Sequence, residues 1–173
     1  MTGADLPPDF VDGVRDAWTR ERPDLDVRTQ GVFGRLSRVA IRVTDELVAV
    51  YRQHGLAEGD FDVLATLRRA GEPYAHSCGE LAEHTLVTSG GMTKRVDRLE
   101  GAGLVRRRVS EHDGRGRVVE LTDRGREVID AAFTDHIANQ HRLLAMLDPG
   151  DAEVLEDVLK RWLARLEDLP PTS

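Results

Sequence analysis

Residues 88–117 gather the small, hydroxylated and cationic side chains that suit a polyanion. Thr88, Ser89, Gly90, Gly91, Thr93, Lys94 and Arg98 come first, and Arg115 and Arg117 close the stretch. Hydroxyls and cations of this kind donate to phosphate oxygens and base edges. Glycines remove side chains where backbone must come close to phosphate. Between Met92 and Arg117 there are eight Lys/Arg and four Asp/Glu, a net +4 in a chain of net −7, which leaves −11 elsewhere. A basic segment on an acidic protein is the electrostatic footprint expected of a nucleic-acid reader. For the charges alone, a solvated surface is the plainer reading.

The elements around these residues supply a frame. Residues 81–84 read as a short helix, residues 88–91 as a turn-like break, and residues 92–100 as a second helix stopped by Gly101 and Gly103. Two β-rich runs, 104–109 and 118–121, flank a glycine-containing link, which is a hairpin signal. At about 100° per residue, Met92, Val96 and Leu99 share one face of the second helix. Gly90, Thr93, Lys94 and Asp97 lie on the other, with Arg98 beside them. One face can pack while the other meets DNA. Helix, turn, helix and hairpin in that order form a winged helix-turn-helix, whose second helix lies in the major groove.

The remaining chain is expected to be mainly α. Its 173 residues suit a single domain, 40% hydrophobic and 32% charged, with aromatics at only 5%, so aliphatic packing must carry the core. Helices are expected over about 8–21, 29–54, 60–70, 122–147 and 149–167. Ser77 and Glu80 match a capping box at the start of the first DNA-module helix, and Asp148-Pro149-Gly150-Asp151 reads as the cap and first turn of the last helix. The organisation is then N-terminal helices at 8–54, a winged helix-turn-helix at 56–121 and C-terminal helices at 122–168. The terminal helices carry apolar residues such as Trp18, Phe133, Trp162 and Leu163. These serve either one monomer core or a dimer interface. The dimer is the expected arrangement, because two reading helices at fixed spacing double a short site.

No apolar run approaches the ~20 residues of a membrane span. The first residues lack the basic start and apolar stretch of a signal peptide. A single cysteine, Cys78, fits a reducing cytoplasm. It sits at a helix start, where thiolate is favoured; an inert first-turn residue is the plainer reading. The six histidines show no metal-ligand spacing, and neither a metal nor a cofactor is expected. Phosphate loops, nucleophile elbows and paired catalytic carboxylates are missing from the sequence, so an enzyme is not expected.

In combination, several motifs resemble the MarR family of bacterial transcriptional regulators. They are residues 61–67 (FDVLATL), 89–95 (SGGMTKR), 99–105 (LEGAGLV) and 121–125 (LTDRG), and the resemblance covers roughly 28–168. It implies an obligate dimer interlocked through its terminal helices, a recognition helix in the major groove and a wing in the minor groove. The family's wing Asp-x-Arg is matched by Asp113 and Arg115, the aspartate shaping the wing and the arginine entering a narrow groove. Gly114 stands where many members have another arginine, and Arg117 is placed to compensate. Ala57-Glu58 replaces the Ser-Pro that precedes the third helix in many relatives, which puts that cap in question. The added first helix resembles the urate-responsive branch, whose ligand residues match Trp18, Asp62, Arg69 and Arg95. Asp62 and Arg69 are seven apart and share a helix face. Arg95 lies on the flank of the packed face. Arginines beside an aromatic wall suit a flat, oxygen-rich anion such as urate. The plainer reading makes Trp18 core and the charges a solvated face.

Two functional readings follow. The first is a sequence-specific, ligand-responsive DNA-binding repressor acting as a homodimer on a pseudo-palindromic operator. The second is a winged-helix module that binds protein without reading DNA sequence.

Overall fold

The computed structural model describes residues 6–85, 89–109 and 117–170, with Ser89 described by its backbone alone. Thr88, Asp113 and Arg115 therefore lie outside the described residues. In chain order the elements are α1 (Phe10–Glu21), α2 (Gln30–Gln53), α3 (Glu58–Arg69), β1 (Ala75–Ser77), α4 (Cys78–His84), α5 (Ser89–Gly101), β2 (Val105–Val109), β3 (Arg117–Leu121), α6 (Asp123–Leu144) and α7 (Asp151–Glu167). The fold is mainly α with one small antiparallel sheet. It packs as two compact units: one runs to Val43 and resumes from Gln140, and the other is Thr44–Asn139. The divisions fall inside α2 and α6.

The Thr44–Asn139 unit holds the aliphatic core that the low aromatic content demands. Val63, Leu64, Leu67, Leu81, Met92, Val96 and Ile129 are fully buried. Burying each large aliphatic side chain contributes about 1.5–3 kcal/mol. Polar ties brace α6 against this core: Arg68 Nε donates to Asp130 at 2.7 Å, and His54 Nε2 lies 2.8 Å from Asp135.

The hairpin gains an unanticipated third strand. The order is β1-β3-β2, with Ala75 opposite Glu120 and Val105 opposite Leu121. Three residues of intermediate burial are too short to show alternation. The break expected at 88–91 also shifts. α5 begins at Ser89, so Gly90 and Gly91 occupy its first turn. Burial of Met92, Val96 and Leu99 outweighs the roughly 1 kcal/mol helix penalty of each glycine.

Caps explain some of the other boundaries. Ser77 Oγ accepts from Glu80 N–H at 3.2 Å and Glu80 accepts from Ser77 N–H at 2.7 Å, so the capping box forms. At α3 only half a box exists. Ala57 has no acceptor side chain, but Asp60 accepts from the Ala57 N–H at 3.1 Å. The last helix departs from expectation. Its N-cap is Gly150 at φ 87° with no side-chain cap, and Pro149 lies outside the helix.

The other unit has little core of its own. At α1, Asp9 accepts from Val11 and Asp12 N–H, and Arg35 of α2 donates to both Asp9 and Asp12 at 2.8 Å. Val11 is buried against Gly34, where a Cβ would come within 2.9 Å of its methyl. No residue of α7 is buried. Leu36, Leu155, Leu159, Trp162 and Leu163 line an apolar groove of about 1080 Å³, with Phe33 edge-on to Trp162 at 5.7 Å.

Candidate nucleic-acid interface and ligand pocket

α5 separates its two faces cleanly. Met92 and Val96 are 0% exposed and Leu99 2%, while Gly90, Thr93 and Lys94 are exposed and Gly91 is half-buried. Arg117 opens β3, exposed, opposite Val109. Among the described residues, Lys94 and Arg117 carry no ion pair. These cations and the outward Thr93 are the groups best placed to meet phosphate and base edges.

Four other arginines of the basic segment are engaged within the protein. Arg98 donates from Nε to Asp60 at 3.0 Å, which turns it toward α3. Arg107 pairs with Asp97 and Glu100, fastening β2 to α5. Arg106 Nη2 lies 2.9 Å from Glu120, which Arg108 also contacts. Counting charges along the sequence could not reveal this, because the neutralising carboxylates lie on other elements or across the strand pair.

A second site lies beside α3. Tyr51, Phe61, Asp62, Arg69, His84 and His136 are among the residues around a cavity of about 410 Å³. Asp62 is half-buried, and burial holds its carboxyl above the usual range; Glu58 adds to this, while Arg95 and Arg69 oppose it. The structure thus brings Arg69 and Arg95 each within electrostatic reach of Asp62. The Arg95 guanidinium lies over Gly59, where any Cβ would collide with it. Trp18 belongs to the other unit, on α1, half exposed.

An aromatic wall was expected from Trp18; Tyr51, Phe61 and His136, which line this cavity, were not foreseen. Tyr51 stacks on Phe61 with centroids 4.0 Å apart and an interplanar angle of 13°. His136 Nδ1 is 3.1 Å from the Tyr51 hydroxyl. Burial pushes the Tyr51 phenol up to about 12, with Asp62 and Glu58 adding to it, and burial pushes the His136 imidazolium down. Tyr51 and His136 are 85 residues apart, and nothing local in the sequence pairs them. Among the described residues, no group of three or more His, Cys, Asp or Glu side chains is arranged to hold a metal ion. No described helix is long and apolar enough to cross a membrane.

Known proteins share this fold. Residues 54–116 match a model of the MarR family, MarR_2. The HTH-type transcriptional regulator PecS of Dickeya dadantii is 36% identical over 151 residues, covering 87% of this chain and 91% of PecS. AbsC, a MarR family transcriptional regulator from Streptomyces coelicolor, superposes with a TM-score of 0.72 at 27% identity, covering 84% of this chain and 98% of AbsC. Sco3205 from the same organism, solved in complex with DNA, gives 0.71 at 26% identity over 86% of this chain and 91% of its own. With its helix-turn-helix, its sheet and these relatives in agreement, the chain belongs to the MarR family of DNA-binding transcriptional regulators.

Proposed function

We propose that this regulator is a cytoplasmic, non-enzymatic homodimeric repressor of a pseudo-palindromic operator, released from DNA by a small flat anion. The observation that carries the reading is α5, with Met92, Val96 and Leu99 buried and Thr93 and Lys94 exposed on the opposite side. Gly90, Gly91, Thr93 and Lys94 would face the major groove, with Thr88 and Ser89 at its entry. Arg117 and Arg115 would reach the minor groove from a wing shaped by Asp113. Sco3205, a family member solved with DNA, supports this use of the fold. The exposed apolar faces of α2 and α7 support a second copy as partner. Two copies would place two reading helices at a fixed half-site spacing.

Asp62, Arg69 and Arg95 would bind the anion, with urate as the candidate ligand. Support comes from a half-buried carboxylate influenced by two arginines, one of them carried by α5 itself. A ligand that holds Arg95 would bias the position of α5. Such a shift needs only a few kcal/mol of differential affinity between two states.

Fluorescence anisotropy tests both levels, using the gene's own upstream DNA against a scrambled duplex over a salt series, with and without urate. Tight sequence-dependent binding that weakens with salt is expected, as is release by urate. Specific binding untouched by urate removes the ligand. Equal weak binding to both duplexes favours the protein-interaction reading, which has one observation of its own: Arg98, Arg106, Arg107 and Arg108 are paired internally.

A further inference from the structure

Among the described residues, Asp60 is the one buried carboxylate, at 5% exposure. Both its oxygens are engaged. Oδ2 accepts from the Ala57 N–H at 3.1 Å. Arg98 Nε donates to Oδ1 at 3.0 Å and to Oδ2 at 3.2 Å, and its Nη2 donates to Oδ1 as well. The pair ties the first turn of α3 to the last turn of α5. One turn earlier on α5, Arg95 lies over Gly59, the neighbour of Asp60. The start of α3 therefore meets α5 at two adjacent points.

A forked guanidinium–carboxylate contact is directional, and removing one partner leaves a charge buried without compensation. Rolling or sliding α5 would break this geometry. A phosphate contact asks the reverse of an arginine, which must extend from the surface with its donors available. Arg98 has Nε and Nη2 turned to Asp60.

We infer that Asp60 and Arg98 are positioning residues for base reading. Together they set the rotation of α5 about its own axis, and so decide which side chains of its exposed face reach base edges. Arg98 acts through Asp60 and the helix, not by touching phosphate. This rests on α5 being the helix that enters the groove.

The test uses the full chain and a duplex recovered by selection from a random pool. Anisotropy measures binding to that duplex and to a scrambled one across a salt series. The proteins are the wild type, Asp60→Asn, Arg98→Lys, Arg98→Gln and the double variant Asp60→Asn/Arg98→Gln, each checked for folding by circular dichroism. Asp60→Asn and Arg98→Gln should each lose about tenfold or more on the selected duplex, the scale of misreading one base pair. Binding to the scrambled duplex and the salt slope should stay as in wild type, since no phosphate contact is removed. The double variant should bind no more weakly than the weaker single, because both break one interaction. Arg98→Lys should recover part of the preference.

A salt slope reduced by about one in Arg98→Gln, with both duplexes weakened alike, makes Arg98 a phosphate contact and overturns the inference. Wild-type discrimination by a folded Asp60→Asn overturns it too. If Asp60→Asn fails to fold, the Arg98 variants decide, since that side chain is 55% exposed. A wild type that recovers no preferred duplex overturns the reading of α5 itself, a failure distinct from wild-type discrimination that survives loss of the pair.

Discussion

Among the described residues, Lys94 stands exposed on α5 without an ion pair, whereas Arg98, four residues on, is bound to Asp60. The two should therefore behave differently although both are cations of the same helix. Lys94→Ala is expected to weaken binding to every duplex and to reduce the salt slope by about one, as loss of a single phosphate contact does. A titration over a salt series checks this, and an unchanged slope would remove Lys94 from the interface. Asp62 should show a trade between stability and response. Its carboxyl titrates above the usual range, so the folded state favours the protonated form. That contribution is full below the ordinary carboxylate value and is lost as pH rises through the raised one. At neutral pH the charge works against folding, so Asp62→Asn should melt higher than wild type while losing any response to urate. The opposite holds for His136, whose folded pKa lies below its ordinary value because of burial. The stability of neutral His136 is present above about pH 6.5 and declines as pH falls toward the lowered value. Wild type should thus lose more melting temperature between about pH 7.5 and 5.5 than His136→Gln; parallel losses would show that His136 is not the titrating group.

At the scale of elements, what could be read in advance was whatever leaves a local mark. Ser77 and Glu80 announce α4 because a capping box is a sequence pattern before it is a geometry. Removing it by Ser77→Ala should cost about 1 kcal/mol and lower the melting temperature by roughly 2–4 °C. Calorimetry would check this, and no shift would mean that packing alone holds the helix. The inward triad Met92, Val96 and Leu99 was legible for the same reason, since helical period is local. β1 was not, because its pairing with β3 joins residues such as Ala75 and Glu120, far apart in the chain. The start of α5 was misplaced because glycine propensity is a weak local preference that tertiary burial overrides. The candidate pocket shows the same divide. Asp62 and Arg69 share a face by spacing, but the Tyr51–His136 contact crosses from α2 to α6 and exists only in the fold.

For the whole molecule, the central question is what covers the apolar surface of the terminal helices. Leu155, Leu159, Leu163 and Leu166 on α7 are each 41–57% exposed, and Val32, Phe33, Leu36 and Val39 on α2 are 41–58% exposed. Monomeric proteins rarely leave apolar patches larger than a few hundred Å² bare, and the unit bearing these faces has only Val11 buried among its described apolar residues. We propose a second copy as the partner, because a two-fold axis would bring like faces together and set two α5 helices at one spacing. Charge tests this from inside the interface. Leu159→Glu with Leu163→Glu places two carboxylates on a face that solvent already reaches in a single chain, where such changes usually alter stability by about 0.5 kcal/mol or less. In a dimer the same carboxylates would be buried without partners, which costs several kcal/mol. Light scattering should therefore give twice the chain mass for wild type and the single-chain mass for the variant, or a variant that unfolds if the monomer cannot stand alone. Operator affinity should fall with the mass, because one α5 reads only half a site. A wild type of single-chain mass, or a variant that keeps the dimer mass, would mean that something else covers these helices, and the pseudo-palindromic operator would lose its structural basis.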